Sequence, residues 1–372
     1  MRNRWLVLTG FALIAVSYGL ARFAWGVMLP DVMRDIPFTP QQAGILSACS
    51  FIAYCLAILA APSLSARAGP RLPAFISSVS AASGLLLMAV AQSPWLLGLG
   101  LFIAGLSAGL ASPAIAAAVS QRVADTQQPK MNMIINAGTS AGIIVSVPVL
   151  FWLPGGWRMA CTLFAFLALL CTLPVWRILP DEKPLTRPAS LRGFLRRPAL
   201  QRLMVIAFFS GIASAAWWSF GPELLHRLGI EQGTLSLLWM IAGAAGIAGA
   251  ATGPLTKVMT MKQIYRLSQC CLALPLLLIA FSQHFSWWLV PGVALGGAGY
   301  VTLSGVLLVW GAEATESAPA TGVSMLFFML AAGQVVGAML FGQLYALTGS
   351  RTALLIFAAL PLLFVFAVRK QH

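Results

Sequence analysis

Charged side chains are scarce in this sequence of 372 residues, where they make up 9% of the chain and only nine of them are acidic. A soluble domain carries roughly 25% charged residues, so this scarcity excludes a water-soluble fold. Only three histidines are present, and the six cysteines form no C-x-x-C pair. We therefore expect the cysteines to pack as small apolar residues, without a disulfide framework or a metal site.

Sequence patterns that carry catalysis are missing as well. There is no G-x-x-x-x-G-K-S/T phosphate loop, so ATP drive would need a separate subunit. The G-x-S-x-G sequence at 105–109 lies inside an apolar run and follows no strand, unlike a hydrolase nucleophile turn. We expect no enzymatic activity and no cofactor.

Long apolar runs fill the chain, which is 59% hydrophobic with a mean hydropathy of +0.88. About 20 apolar residues are enough for one helix to cross a bilayer. The pattern predicts an all-α membrane protein with twelve transmembrane helices, in contact with lipid. The predicted spans are 5–29, 41–64, 72–92, 95–118, 131–153, 157–179, 200–221, 233–256, 264–282, 286–310, 320–343 and 350–368.

The net charge of +14 comes from lysines and arginines in the breaks between these runs. If the N-terminus is cytoplasmic, eighteen of the 23 fall on the cytoplasmic side and four on the other, with Arg22 in the membrane. This bias follows the positive-inside rule, and no basic run is interleaved with aromatics as in nucleic-acid binding. We expect a multi-pass protein of a bacterial inner membrane with both termini in the cytoplasm and no nucleic-acid partner.

Residues in the two halves of the chain recur at one offset of 192 positions. The offset predicts a duplicated six-helix unit, with an N-terminal half at 1–179, a cytoplasmic linker at 180–199 and a C-terminal half at 200–372. Parallel six-helix repeats of this kind are related by an axis along the membrane normal. The recurring pairs are Trp25 and Trp217, Pro30 and Pro222, Asp31 and Glu223, Pro62 and Pro254, and Gly105 and Gly297.

The loop after the second span, Pro62-Ser63-Leu64-Ser65-Ala66-Arg67-Ala68-Gly69-Pro70-Arg71, is similar to the G-x-x-x-D-R-x-G-R-R loop of the major facilitator superfamily. Arg67, Gly69 and Arg71 match that pattern, whereas Pro62 and Ala66 replace its first glycine and its aspartate. Over its whole length the chain resembles this superfamily of secondary transporters. The resemblance implies the major facilitator fold, a small-molecule substrate, a monomer, and alternating access around a cavity lined by helices one, four, seven and ten.

Two further stretches carry the resemblance. Gly138-x-x-x-Gly142 followed by Pro148 is a loose version of the superfamily's Gly/Pro-rich antiporter motif, while Leu101 stands where many relatives carry a membrane arginine. The opening run from Tyr18 to Gly26 resembles the YbfB/YjiJ-type branch of bacterial permeases.

Arg22 is the one charged residue well inside a predicted span. A charge at membrane depth costs several kcal/mol, which makes it a functional candidate. By α-helical spacing, Tyr18, Arg22 and Trp25 share a face, and Arg22 lies about seven residues, or ~10 Å, from the outer end of its span. Three interpretations stay open: a cavity-facing side chain that holds a substrate anion, a fixed strut bonded to protein groups, or a side chain that snorkels to lipid.

Other polar and aromatic residues deep in the spans are candidates for substrate contact. Together with Tyr18, Arg22 and Trp25, they form the predicted substrate-binding set: Asn136, Ser214, Trp217, Trp218, Tyr300 and Gln334. Asp31 and Glu223, near the outer span ends, are the acidic candidates for coupling, and Arg67 and Arg71 are candidates for gating.

Together these features predict a secondary transporter that moves a small organic solute by alternating access. Anionic and amphipathic compounds are the candidate solutes, and protons are a candidate coupling ion. The alternative is a transport-inactive membrane sensor or scaffold that kept the fold.

Overall fold

The computed structural model describes residues 2–124, 126–183, 197–249, 255–315 and 319–367. In this part the chain forms helices joined by short loops, and it contains no strand. Residues 184–196 of the expected linker and Pro254 lie outside the described residues. The helices are α1 (Arg2–Ile14, Ala15–Phe23 and Ala24–Asp35, in one run), α2 (Pro40–Ala68), α3 (Arg71–Ala89), α4 (Pro94–Arg122), α5 (Gln128–Trp152), α6 (Gly156–Ile178), α7 (Pro198–His226), α8 (Gln232–Gly249), α9 (Met261–Phe281), α10 (Leu289–Ala314), α11 (Pro319–Thr348) and α12 (Ser350–Phe364).

Ten of these helices are long and apolar enough to cross a membrane by length and composition. The other two contribute shorter apolar stretches, Gly233–Ile247 in α8 and Ser350–Phe364 in α12. Helices suit the bilayer because each backbone N–H and C=O is bonded within its own segment, where no water is available. The prediction of an all-α membrane fold with twelve helices is confirmed for the described residues.

Several helices end later than predicted, and two of these ends bear on the candidate site. α1 continues to Asp35 instead of ending near residue 29, and α7 continues to His226 instead of 221, so Pro30 and Pro222 lie inside helices. A proline removes one backbone hydrogen bond, and neighbouring helices make that loss tolerable in a membrane bundle. Asp31 and Glu223 therefore lie within the last turns of their helices, not beyond them.

Local signals mark two helix starts. The Ser93 side chain accepts the N–H of Leu96 and precedes Pro94, which places a capping residue and a first-turn proline where α4 begins. Thr260 and Gln263 form a reciprocal capping box at the start of α9.

The described chain forms two compact units, one of residues 1–37 and 49–188 and the other of 38–48 and 189–372. Within the first unit α1 packs on α5, and α3 packs on α4 and α6. Within the second unit α7 packs on α11, and α9 packs on α10 and α12. These three helix pairs of the first unit thus recur in the second between the helices six positions along.

The repetition extends to single residues. Gly105 of α4 lies against the backbone of Ser50, and Gly297 of α10 lies against the backbone of Ala242. Both glycines and both of their neighbours are related by the offset of 192. At each crossing a Cβ would overlap the facing backbone, so glycine is what lets the two helices approach.

The crossing of α1 with α5 has a counterpart as well. Gly19 lies against Gly142, and at the same offset Gly211 of α7 lies against Gln334 of α11. The helix carrying Gly138 and Gly142 is thus held close to α1 through its glycines, since Gly138 faces the carbonyl of Phe11.

Candidate functional site

Arg22 lies in a stretch of α1 that is wound as a π-helix from Ala15 to Phe23. The N–H of Ala24 bonds to the carbonyl of Gly19, five residues back, where an α-helix would bond four residues back. The α-helical spacing predicted for Tyr18, Arg22 and Trp25 therefore does not hold, because each π turn contains more residues. π-helical turns are rare and are frequent at functional sites.

The guanidinium of Arg22 is surrounded by aromatic rings. Its Cζ lies 4.2 Å from the ring centroid of Tyr54 and 5.0 Å from that of Phe51, both in α2. The rings of Phe23 and Tyr18, in α1 itself, lie at 5.3 and 5.8 Å. Arg22 is only 6% exposed, so this aromatic cage encloses a buried cation. All four distances from Arg22 Cζ to a ring centroid fall within the ~6 Å range of cation–π attraction.

Hydrogen bonds tie the cage to a third helix. The hydroxyl of Tyr18 lies 2.9 Å from Ser112 Oγ in α4 and donates to the Tyr54 hydroxyl at 3.3 Å. The Tyr18 and Tyr54 rings meet edge to face with centroids 6.1 Å apart. The rings around Arg22 are therefore fixed by contacts among α1, α2 and α4.

A second polar cluster lies in the second unit. The side-chain amide of Gln334 in α11 donates to Ser214 Oγ of α7 at 3.3 Å and to the Tyr300 hydroxyl of α10 at 3.4 Å. The ring of Trp218 meets Tyr300 edge to face at 5.4 Å. Four predicted substrate-binding residues, from three helices, are thus brought together.

Trp217, next to Trp218 in α7, extends this cluster toward α8. It packs on Trp239 of α8 with ring centroids 5.0 Å apart, and both side chains are fully buried. The Nε1 atoms of Trp217 and Trp239 are buried and make no hydrogen bond among the described residues. Trp239 also contacts Trp218 at 5.8 Å and so joins both neighbours.

The two acidic candidates each contact an arginine one turn later on the same helix. Asp31 Oδ1 lies 2.5 Å from Arg34, whose side chain is 69% exposed. Glu223 Oε1 accepts the Nε–H of Arg227 at 2.8 Å, and Glu223 itself is buried. Burial lowers the pKa of Arg227, but the hydrogen bond that Arg227 donates to Glu223 and the charges of Tyr345 and Glu223 outweigh it, so the pKa of Arg227 is raised.

The loop between α2 and α3 contacts the chain that follows α6. Arg71 donates from Nε to the Leu179 carbonyl at 3.0 Å and from Nη1 to Asp181 at 3.2 Å. Gly69 has a φ of +72° and faces the Asp181 backbone. Arg122, at the end of α4, binds Glu182 at 2.9 Å. Arg67, by contrast, is exposed.

Two of the predicted substrate-binding residues remain. Trp25 is buried in α1 beyond the π-helical stretch, and Asn136 is exposed on α5. Among the described residues, no group of three or more His, Cys, Asp or Glu could hold a metal ion.

Sequence reasoning missed Phe51, Tyr54, Ser112 and Trp239. Tyr54 is one of only five tyrosines and lies in the middle of a predicted span, which is a signal of the same kind as the one that selected Tyr300. Phe51 gives no such signal, because a phenylalanine in an apolar span is ordinary lipid-facing or packing material.

Twelve apolar helices in two units with matching helix pairs, each with a buried polar cluster, define a polytopic membrane protein of the transporter class. The chain belongs to the Major Facilitator Superfamily, whose family model matches residues 11–332. The assignment to the YbfB/YjiJ-type branch stays a prediction from the opening run.

Several relatives are similar in sequence. The gentisate transporter of Corynebacterium glutamicum is 26% identical over 260 residues, which cover 64% of this chain and 58% of that protein. The uncharacterised transporter YycB of Bacillus subtilis is 23% identical over 95% of this chain and 89% of its own length. The multidrug resistance protein MdtH of Salmonella typhimurium is 25% identical over 38% of this chain and 41% of its own.

Solved structures share the fold. A mutant of the nucleoside transporter NupG superposes with a TM-score of 0.79 at 17% identity, over 97% of this chain and 98% of that one. The human organic anion transporter MFSD10 superposes with a TM-score of 0.72 at 16% identity, over 98% of this chain and 99% of its own.

Proposed function

We propose that the protein is a secondary active transporter that moves a small organic acid by alternating access, and that Arg22 binds the acid group. The observation that carries this proposal is the aromatic cage: a buried arginine in a π-helical stretch, with its guanidinium 4.2 Å from the Tyr54 ring. Membership of a transporter superfamily supports the reaction class.

The chemistry of the cage favours an aromatic or amphipathic acid. A guanidinium presents planar donors that match a carboxylate in two parallel hydrogen bonds. The rings of Phe51 and Tyr54 offer flat faces beside that anion site, on which an aromatic or apolar body can stack. The similarity to a transporter named for gentisate, an aromatic carboxylate, agrees with this substrate class.

For the second unit we propose contacts with neutral polar groups of the solute. Gln334, Ser214 and Tyr300 supply an amide and two hydroxyls that both donate and accept, without a charge. The buried Nε1 atoms of Trp217 and Trp239 are additional donors that a solute oxygen could satisfy.

We propose Glu223 as the proton-coupling carboxylate in preference to Asp31, because its side chain is 9% exposed and that of Asp31 is 17% exposed. In proteoliposomes, uptake should then rise with an imposed pH gradient in wild type and in Asp31→Asn, and Glu223→Gln should lose that response. Equal responses of all three proteins would remove Glu223 from this role.

The substrate proposal is tested by ligand-induced thermal shift of the purified protein. Benzoate-type aromatic carboxylates should stabilise wild type, and their uncharged amides should not. Arg22→Gln should lose the shift and Arg22→Lys should keep part of it, because a lysine keeps the charge but lacks the planar fork. Arg34→Gln, which changes an exposed arginine, serves as the control and should behave as wild type.

Uptake of a stabilising acid into proteoliposomes separates the transporter from the alternative of a transport-inactive sensor. A protein that binds the acid through Arg22 but moves none of it would be a sensor. If the acids stabilise Arg22→Gln as well as wild type, the anion role of Arg22 is wrong.

A further inference from the structure

The second unit contains a pocket that is separate from the proposed substrate contacts. It lies where α7 and α9 end and α12 begins, and its volume is about 260 Å³. Drug-sized ligands occupy pockets of roughly 300–1,000 Å³, so this one suits a smaller group. Arg227 and Arg351 both line it, together with Ser282, Gln283 and Ser350.

The two arginines differ in how their charge is balanced. Arg227 gives its Nε–H to Glu223, and in the described part of the chain its terminal nitrogens make no hydrogen bond. Arg351 rests over the Phe281 ring at 5.6 Å and has no carboxylate partner among the described residues. Two guanidinium groups therefore line the pocket, and no Asp or Glu is among the described residues that line it. Two like charges in one pocket repel each other, and an anion bound between them would relieve that repulsion.

The position of these arginines is not explained by membrane orientation. Only four lysines and arginines are expected on the outer side of the membrane. Two of them, from distant parts of the sequence, line this pocket. The positive-inside rule disfavours such a concentration there. A ligand-binding role accounts for it.

The remaining wall is apolar. Ile279, Phe281 and Leu354 are among the apolar residues that line the pocket, and Phe281 is largely exposed at the helix end. We propose that the pocket binds a phosphate group, with Arg227 and Arg351 as its cationic ligands. The phosphate is either the headgroup of an anionic phospholipid, whose acyl chains lie along the apolar wall, or a free phosphate compound.

The experiment measures the thermal stability of the purified protein in a neutral detergent against four probes. These are phosphatidylglycerol, phosphatidylcholine with the same acyl chains, glycerol 3-phosphate and inorganic phosphate. Arg351→Gln removes the unbalanced charge, Arg351→Lys retains it, and Arg34→Gln removes an exposed arginine elsewhere as the matched control.

Phosphatidylglycerol should stabilise wild type and Arg34→Gln more than phosphatidylcholine does. Its apparent affinity should fall roughly tenfold in Arg351→Gln, since hydrogen bonds to charged groups contribute on that order, and recover in part in Arg351→Lys. The same variant pattern with the two soluble phosphates, and not with the lipid, would identify a free phosphate compound as the ligand. If Arg351→Gln responds as wild type does to every probe, the pocket binds no phosphate through Arg351 and the proposal fails.

Discussion

Arg22 is kept at membrane depth by rings on two helices. Placing an arginine at the centre of a transmembrane helix costs roughly 2.5–3.5 kcal/mol on insertion scales. One cation–π contact returns about 0.5–2 kcal/mol, depending on how dry it is. The summed cation–π energy of four rings within 6 Å of the Arg22 guanidinium can thus offset most of that cost. The rings stabilise the cation without neutralising its charge.

Substitutions of Tyr54 separate its ring from its hydroxyl. Tyr54→Phe keeps the ring over Arg22 and loses the hydrogen bond from Tyr18, so the free energy of unfolding should fall by about 0.5–1.5 kcal/mol. Tyr54→Leu removes the ring as well and should cost about 0.5–2 kcal/mol more. Thermal unfolding of the purified variants measures both. Equal losses in the two variants would mean that the ring does not stabilise the Arg22 charge.

At the residue scale, the sequence selected polar residues that lie in the two clusters and missed the residues around them. Arg22, Ser214, Tyr300 and Gln334 were selected because polar groups are costly in lipid, and the last three share hydrogen bonds. The cage was not predictable, because which apolar rings meet Arg22 depends on how α2 crosses α1. The π-helical stretch was missed for a related reason: its residues fit an α-helix equally well.

Helix crossings set by glycine are the main determinant at the scale of elements. Gly19 of α1 faces the backbone of Gly142, whereas a Cβ added at Gly10 of the same helix would lie 3.1 Å from a side-chain carbon of Ile115 and 3.2 Å from one of Ile135. A side chain added at Gly19 meets backbone that cannot yield, and one added at Gly10 meets groups that can shift.

Gly19→Ala should therefore be far more harmful than Gly10→Ala. Overpacking costs about 1–3 kcal/mol, and Gly19→Ala should fall at or above the upper end because backbone is displaced. Gly10→Ala should lie near zero. The yield of monodisperse protein in size-exclusion chromatography and the thermal midpoint both measure this. A Gly19→Ala protein as stable as Gly10→Ala would show that the α1–α5 crossing has room to spare.

Gly69 offers a similar test at a loop. Gly69 and Gly229 both have positive φ, at +72° and +79°, but only Gly69 lies against another segment, the backbone of Asp181. Gly229→Ala should cost about 1–2 kcal/mol from the left-handed backbone alone. Gly69→Ala carries the same strain plus the lost contact, so it should unfold at lower temperature and be cleaved faster near residues 179–183 in limited proteolysis. Equal effects would mean that the Asp181 contact adds nothing.

Helix existence was predictable from apolar length, and helix ends were not. The ends of α1 and α7 were placed too early because Pro30 and Pro222 read as breaks, although the bundle tolerates both. Helix starts that carry a capping signal, such as Ser93-Pro94 and Thr260, can be predicted because the signal is local.

At the scale of the whole molecule, the first six helices and the last six repeat the same packing, but the charge of Arg22 is not repeated. The contacts of Gly105 with Ser50 and of Gly297 with Ala242 repeat at an offset of 192, and Arg22 corresponds to Ser214. The positions that match the cage rings Phe51 and Tyr54 are Gly243 and Gly246. Cation and cage are thus both features of the first unit alone, which is what a pair of sites with different chemical tasks requires.

Membrane orientation is testable by labelling. Arg34 and Arg67 are both exposed, and the positive-inside pattern puts Arg34 outside the cell and Arg67 in the cytoplasm. A membrane-impermeant maleimide should therefore label Arg34→Cys in intact cells and leave Arg67→Cys unlabelled. Both should react after permeabilisation, which serves as the control. Labelling of Arg67→Cys alone in intact cells would reverse the orientation of the whole chain.

The π-helical stretch has a consequence for the outer part of α1. An α-helix turns by about 100° per residue, so rewinding Ala15–Phe23 into α form would rotate residues 24–35 about the helix axis while residues 2–14 stayed in place. Trp25 and Asp31 would then face different neighbours. Arg22 lies next to the junction between the π-helical stretch and Ala24–Asp35. A rotation of the residues beyond the junction would therefore also move Arg22.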